Sequence, residues 1–216
     1  MNHDEFWNYF NSFAYPQLEH RAETFKLAFQ HLSNLQRPVC IVETGCVRNK
    51  GTFAGEGQST VLFDKFSECV PGSVVHSVDI SPESTDMCKS LVSSRVQVHT
   101  MDSVIFLKNK CRNFISPYQH IDLLYLDSYD VNFDEPHDSA MHHIKELLAA
   151  TPLISSNTLI LLDDSPSYAT FFFDKGQMKL ASNQKIGGKG KYIASYMENI
   201  GNTPIAQSYQ VAWLGL

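Results

Sequence analysis

The chain has 216 residues, 43% of them apolar and 19% charged, with 17 basic against 23 acidic side chains. That length suits one domain with an ample core, and the composition excludes a disordered chain. The acidic balance argues against a nucleic-acid partner, and no apolar run approaches the roughly 18 residues of a membrane span.

The opening MNHDEFWNYF lacks the basic start and apolar core of a secretory signal. The five cysteines are odd in number and never fall as C-x-x-C, so they read as reduced, mostly buried thiols. A soluble, cytoplasmic protein is therefore expected.

Residues 1–36 are expected to form an N-terminal helical cap. Phe6, Trp7, Phe10 and Phe13 suggest a short aromatic helix, either packed on the next helix or roofing a pocket. Leu18, Ala22, Phe25, Phe29 and Leu32 recur at steps of three and four, the stripe of an amphipathic helix. From residue 37 onward apolar runs alternate with amphipathic stretches. Strands are predicted at 39–44, 73–79, 95–100, 121–127 and 157–163, and helices near 58–68, 83–93, 103–111 and 137–150. This alternation predicts an α/β, doubly wound, mostly parallel sheet covered by helices. GKGKYIASYMENIG reads as a further helix, and PIAQSY and QVAWLGL as a closing pair of strands, one of them antiparallel. Residues 165–188 carry no clear pattern.

In such a sheet ligands sit at the carboxyl ends of the strands, so the strand ends are the residues to read. The first strand ends Glu43-Thr44-Gly45, and a glycine-rich loop leads to Gly55-Glu56-Gly57-Gln58-Ser59-Thr60 before a helix. Glycines allow backbone to pass close to a ligand, and a helix start offers free N–H donors. An ordinary βα turn is the alternative. A nicotinamide fingerprint is disfavoured, because ten residues separate Thr44 from Gly55. Asp79 ends the second strand, where a carboxylate can take both hydroxyls of a ribose. Asp102 and Ser103 follow the third strand and can meet an adenine edge, with helix capping by Asp102 as the alternative.

Together, E-x-G with its glycine-rich loop and the acids after strands two and three resemble the class I S-adenosylmethionine-dependent methyltransferases. The long loop is similar to that of a branch related to small-molecule and sugar O-methyltransferases. The resemblance spans about residues 39–216 and implies a seven-stranded sheet with an antiparallel last strand. It implies that Glu43 and Gly45 face the methionine part of S-adenosyl-L-methionine, Asp79 the ribose, and Asp102 with Ser103 the adenine. Gly57, Ser59, Thr60 and Asp127 complete the expected cofactor contacts.

The fourth strand ends in Asp127 and the fifth in Asp163-Asp164. Carboxylates converging without a countercharge repel, and a hard cation such as Mg²⁺ would resolve this. Some O-methyltransferases of this type hold magnesium with such a trio, so Asp127, Asp163 and Asp164 are the expected metal ligands. The competing reading gives Asp127 to the cofactor's amino group and has Asp163 and Asp164 cap the next segment or pair with Lys189 or Lys191. Candidate bases are Asp130 and His137, the latter opening HDSAMHHIKELLAA, on which His142 is expected to turn away from the apolar face. Gly187-Gly188-Lys189-Gly190 reads as a mobile loop or a turn with an exposed lysine. The expectation is thus a magnesium-assisted O-methyltransferase acting on a small-molecule hydroxyl, such as that of a sugar or vicinal diol, with homo-oligomerisation left open. The rivals are a metal-independent O- or N-methyltransferase and a non-catalytic S-adenosylmethionine-binding module.

Overall fold

The computed structural model describes residues 3–56, 58–115 and 118–216. Five apolar runs become parallel strands: β1 (Cys40–Thr44), β2 (Val74–Asp79), β3 (Val96–Thr100), β4 (Ile121–Leu126) and β5 (Ile154–Leu162). β1 and β4 are buried at every position, as strands covered on both faces must be.

Ahead of the sheet lie α1 (Asp4–Tyr9) and α2 (Ala22–Asn34). After β1 come α3 (Phe53–Glu56) and α4 (Ser59–Cys69), and after β2 comes α5 (Pro82–Leu91). The latter starts cleanly because the Ser81 hydroxyl accepts the Ser84 amide and Pro82 occupies the first turn. Short α6 (Ser103–Ile105) and α7 (Cys111–Ile115) follow β3, and α8 (His137–Ala150) follows β4. After β5 a hairpin, β6 (Ser167–Asp174) and β7 (Gln177–Ile186), stands as its own two-stranded sheet. Then α9 (Lys191–Asn199) leads to β8 (Ala206–Gln207) and β9 (Val211–Leu214).

The main sheet has the order β3-β2-β1-β4-β5-β9-β8. Its last two strands are reversed, β9 running antiparallel to β5 and β8 to β9. This is a Rossmann-like, doubly wound sheet with a reversed end, as the strand pattern predicts. The one segment without a clear pattern is the β6–β7 hairpin. Its two-residue turn, Lys175-Gly176, has φ of +50° and +78°, the left-handed pair that a tight hairpin demands.

Side chains alternate across the strands and build two cores. Ile41, Tyr125 and Leu159 face α1, α2 and α4, whereas Cys40, Val42 and Ile160 face α7, α8 and α9. The N-terminal aromatics belong to the first core: Phe6 and Phe10 are buried and pack on Phe29. Packing, rather than roofing, is what these two rings do. Among the described residues no helix is long and apolar enough to cross a membrane.

Candidate functional site

Register decides what meets at the sheet edge. Thr44 pairs with Val78 and Leu126, and Leu126 pairs with Leu162. The residues one step further, Gly45, Asp79, Asp127 and Asp163, therefore arrive together at the carboxyl edge, beside the switch point between β1 and β4. A cleft opens there, walled by these four and by Cys46, Ser59, Asp130, Asp164 and Lys189. Gly45 has φ +80°, and a Cβ on it would stand 2.6 Å from the Asp127 carbonyl oxygen. Only glycine lets β1 end this close to β4.

Two successive carboxylates in an extended strand would point to opposite faces. Asp164 has φ +43°, and this left-handed turn at the end of β5 lets Asp163 and Asp164 both join Asp127, with one ligand atom of each lying within 4.8 Å of the others. The convergence expected of the three acids is present. Their countercharge, however, is protein.

Lys189 Nζ lies 2.6 Å from Asp127 Oδ1 and 3.1 Å from Asp164 Oδ2. Arg21 Nε donates to both oxygens of Asp163 at 2.9 and 2.8 Å, and its Nη2 reaches Asp164 Oδ1 at 3.2 Å. Tyr125 donates to Asp163, and Tyr209 to Asp164. Burial works against the charges of Lys189 and Arg21, yet the surrounding carboxylates hold both cations above their ordinary pKa. Burial likewise opposes ionisation of Asp164, but Lys189, Tyr209 and Arg21 outweigh it and hold that carboxyl low. These acids do not fit a magnesium site, because the oxygens that would ligate Mg²⁺ are already bonded to ammonium and guanidinium groups. The expectation of a metal centre is corrected here to a five-membered ion-pair cluster.

Lys189 is also corrected: it is 1% exposed, not a surface residue of a mobile loop. Its turn is built for close packing. Gly188 has φ +53°, and a Cβ there would come within 2.0 Å of the Asp164 carbonyl oxygen.

The remaining expected residues divide. Asp79 lines the cleft, with one oxygen accepting the Ser81 amide at 2.8 Å. Glu43 does not line the cleft. It is fully buried and accepts the hydroxyls of Ser59 at 2.5 Å, Thr60 at 2.7 Å and Ser77 at 2.5 Å. Burial pushes its carboxyl up to about 7 against the pull of those hydroxyls. Thr60 also accepts the Val47 amide, so Ser59 and Thr60 tie the loop after β1 to Glu43. Gly57 lies outside the described residues.

Asp102 caps α6 by accepting the Ile105 amide at 2.8 Å, and it does not line the cleft. Ser103 donates to Glu146 at 2.5 Å and accepts from His142 at 3.0 Å, so its hydroxyl is bonded within the protein. His142 thus turns inward, toward Glu146. Asp130 reaches the cleft wall, strongly exposed and paired with Arg48 at 3.1 Å. His137 is exposed, shares a hydrogen bond with the Tyr192 hydroxyl of α9 at 2.7 Å, and does not line the cleft.

Sequence reasoning missed Arg21 and Glu146. Both had a signal: each is a charge placed beside an apolar helical stripe, Arg21 next to Leu18 and Phe25, Glu146 next to His143 and Leu147.

No protein-family profile matches the chain, and no curated protein does. Among solved structures, precorrin-6y C5,15-methyltransferase from Geobacter metallireducens GS-15 is similar over 74% of this chain and 83% of that one. That similarity has 11% sequence identity and a TM-score of 0.36.

Proposed function

We propose that this chain is an S-adenosyl-L-methionine-dependent methyltransferase acting on a small-molecule hydroxyl without a metal. The observation that carries the reading is the carboxyl edge itself. A glycine that admits no side chain ends β1, and an acid facing the same cleft ends β2, in a seven-stranded sheet with a reversed end.

In this reading Gly45 lets the cofactor pass close to β1, and Asp79 accepts the ribose hydroxyls. Asp127 and Ser128 form the wall opposite. The cofactor supplies an electrophilic methyl group on a sulfonium. The protein's work is alignment, exclusion of water and a place for the acceptor's proton. Asp130 is the base assigned here, since it lines the cleft and is open to solvent. A metal-assisted variant would require Lys189 and Arg21 to leave their carboxylates, so it is not preferred.

An acceptor groove of about 770 Å³ flanks the other side of the Gly187–Gly190 turn. Its walls include Phe133, Pro136, Ile186 and Trp213 together with Lys185 and Lys191. Its size and mixed lining suit a small organic molecule.

Calorimetric titration with S-adenosylmethionine and its demethylated product tests the reading, with Asp79→Ala as the control. Charge-assisted hydrogen bonds contribute about 1.5–3 kcal/mol, so affinity should fall at least tenfold, with the fold retained by circular dichroism. Equal affinity in a folded variant removes Asp79 from the ribose. No binding by the unaltered chain removes the cofactor altogether.

A further inference from the structure

A pocket with three carboxylates and no native cation is a divalent-metal site in waiting. Here the place between Asp127 and Asp164 is filled by a side chain of the protein. Lys189 enters on a turn whose neighbours cannot be enlarged: Gly188 abuts the Asp164 carbonyl, and a Cβ on Gly190 would lie 2.9 Å from Ser165 Oγ. The backbone secures it further, since the Lys189 amide donates to the Asp164 carbonyl at 3.0 Å. Nothing about the lysine is loose. Its ammonium bridges Asp127 on β4 and Asp164 on β5, the two strand ends that a metal would have to bridge.

We propose that Lys189 is the resident cation of this site, a fixed ammonium in the place between Asp127 and Asp164 that a divalent ion would otherwise take. Arg21 does not compete for that role. It bonds to Asp163 and to Asp164 Oδ1, whereas the ammonium of Lys189 bonds to Asp127. With Lys189 neutralised, three carboxylates would face one guanidinium. Asp127 Oδ1 and Asp164 Oδ2 would then both lose their bridging cation. The inference deepens the metal-independent reading above. It stands on the ion pairs alone, however, so a failure to bind S-adenosylmethionine would leave it untouched.

Mn²⁺ serves as the probe, followed by its free-ion paramagnetic resonance signal, with no cofactor added. The unaltered chain should leave the free signal undiminished up to millimolar protein. Lys189→Met should take up one Mn²⁺ per chain with affinity raised at least tenfold, and adding Asp127→Asn should abolish that gain. Mg²⁺ should raise the melting temperature of Lys189→Met and not that of the unaltered chain. Lys189→Gln is the second neutral variant, should the methionine variant fail to fold. Uptake of one Mn²⁺ by the unaltered chain overturns the proposal, and so does a folded neutral variant that gains none. If neither variant folds, the unaltered chain decides: uptake refutes the proposal and no uptake supports it.

Discussion

Glu43 and Glu146 are both fully buried at the end of β1, and they behave in opposite ways. Glu43 lies on the face covered by α4 and accepts three hydroxyls, from Ser59, Thr60 and Ser77. Glu146, on α8, lies under the other face and also accepts three hydroxyls: Thr44 at 3.2 Å, Ser103 at 2.5 Å and Ser128 at 2.6 Å. The difference is an imidazole. His142 Nε2 stands 3.3 Å from Glu146 and is itself pushed up by that bond. Burial raises both carboxyls. Only the histidines and hydroxyls at Glu146 overcome it and leave the group below its ordinary value, while Glu43 rises to about 7. Hydroxyls alone do not keep a buried carboxylate ionised; a neighbouring positive charge does. Both groups serve the cleft, one holding the loop after β1 and the other the segments after β3 and β4.

The largest separation should come from removing each charge. Glu146→Gln leaves buried partners arranged for an anion, and breaking a buried, charge-assisted network costs about 3 kcal/mol. Glu43→Gln replaces a carboxyl that is half neutral at pH 7, and rotating hydroxyls can meet the amide, so it should cost about 1 kcal/mol or less. Denaturant unfolding at pH 7 measures both. Equal costs would mean that the two sites are electrostatically alike.

Next comes pH. The folded pKa of Glu43 is above its unfolded value of 4.5, so its stabilisation is complete below pH 4.5 and is lost as pH rises through 7. Between pH 5 and pH 8 the unaltered chain should therefore lose about 2–3 kcal/mol relative to Glu43→Gln. His76 and His143, each lowered by burial to about 4, act in the other sense: they erode stability as pH falls from 6.5 toward 4. They are common to both proteins and cancel in the difference. A difference that stays flat from pH 5 to pH 8 would place Glu43 among ordinary carboxylates.

Much of this was legible in the sequence because strand ends carry their own punctuation. The runs ending at Asp79, Asp127 and Asp163 stop abruptly from apolar to acidic, and parallel register then brings them to one edge. The acids' convergence followed from that. One of the cations was also legible, since pairing with Lys189 was the competing reading and Lys189 does meet Asp164. Arg21 was not, because it lies 142 residues from Asp163 in sequence and no local pattern links them. The hydroxyl cradle of Glu43 was hidden for a related reason. The acid of E-T-G stands two positions before Gly45, and alternation puts it on the same face as Ile41, toward α4. The β6–β7 hairpin escaped because its turn is Lys-Gly, a weaker signal than Asn-Gly or Asp-Gly.

The smallest effects give the sharpest form of the comparison, since each removes one hydroxyl from one cluster. Ser77→Ala deletes the 2.5 Å bond to Glu43, a bond that favours the ionised form. While Glu43 is protonated little is lost, so at pH 5.5 the cost should be within about 0.5 kcal/mol, whereas at pH 8 the carboxylate misses its donor and the cost should reach about 1 kcal/mol. Thr44→Val keeps the shape of the side chain and deletes the donor to Glu146 at 3.2 Å. Glu146 is ionised across that whole range, because its carboxyl is held below the ordinary value. The cost of Thr44→Val should then be about 1 kcal/mol at both pH values, with no slope between them. Denaturant midpoints of the two variants at pH 5.5 and pH 8 make the measurement. A slope for Thr44→Val, or none for Ser77→Ala, would show that the imidazole of His142 is not what separates the two glutamates.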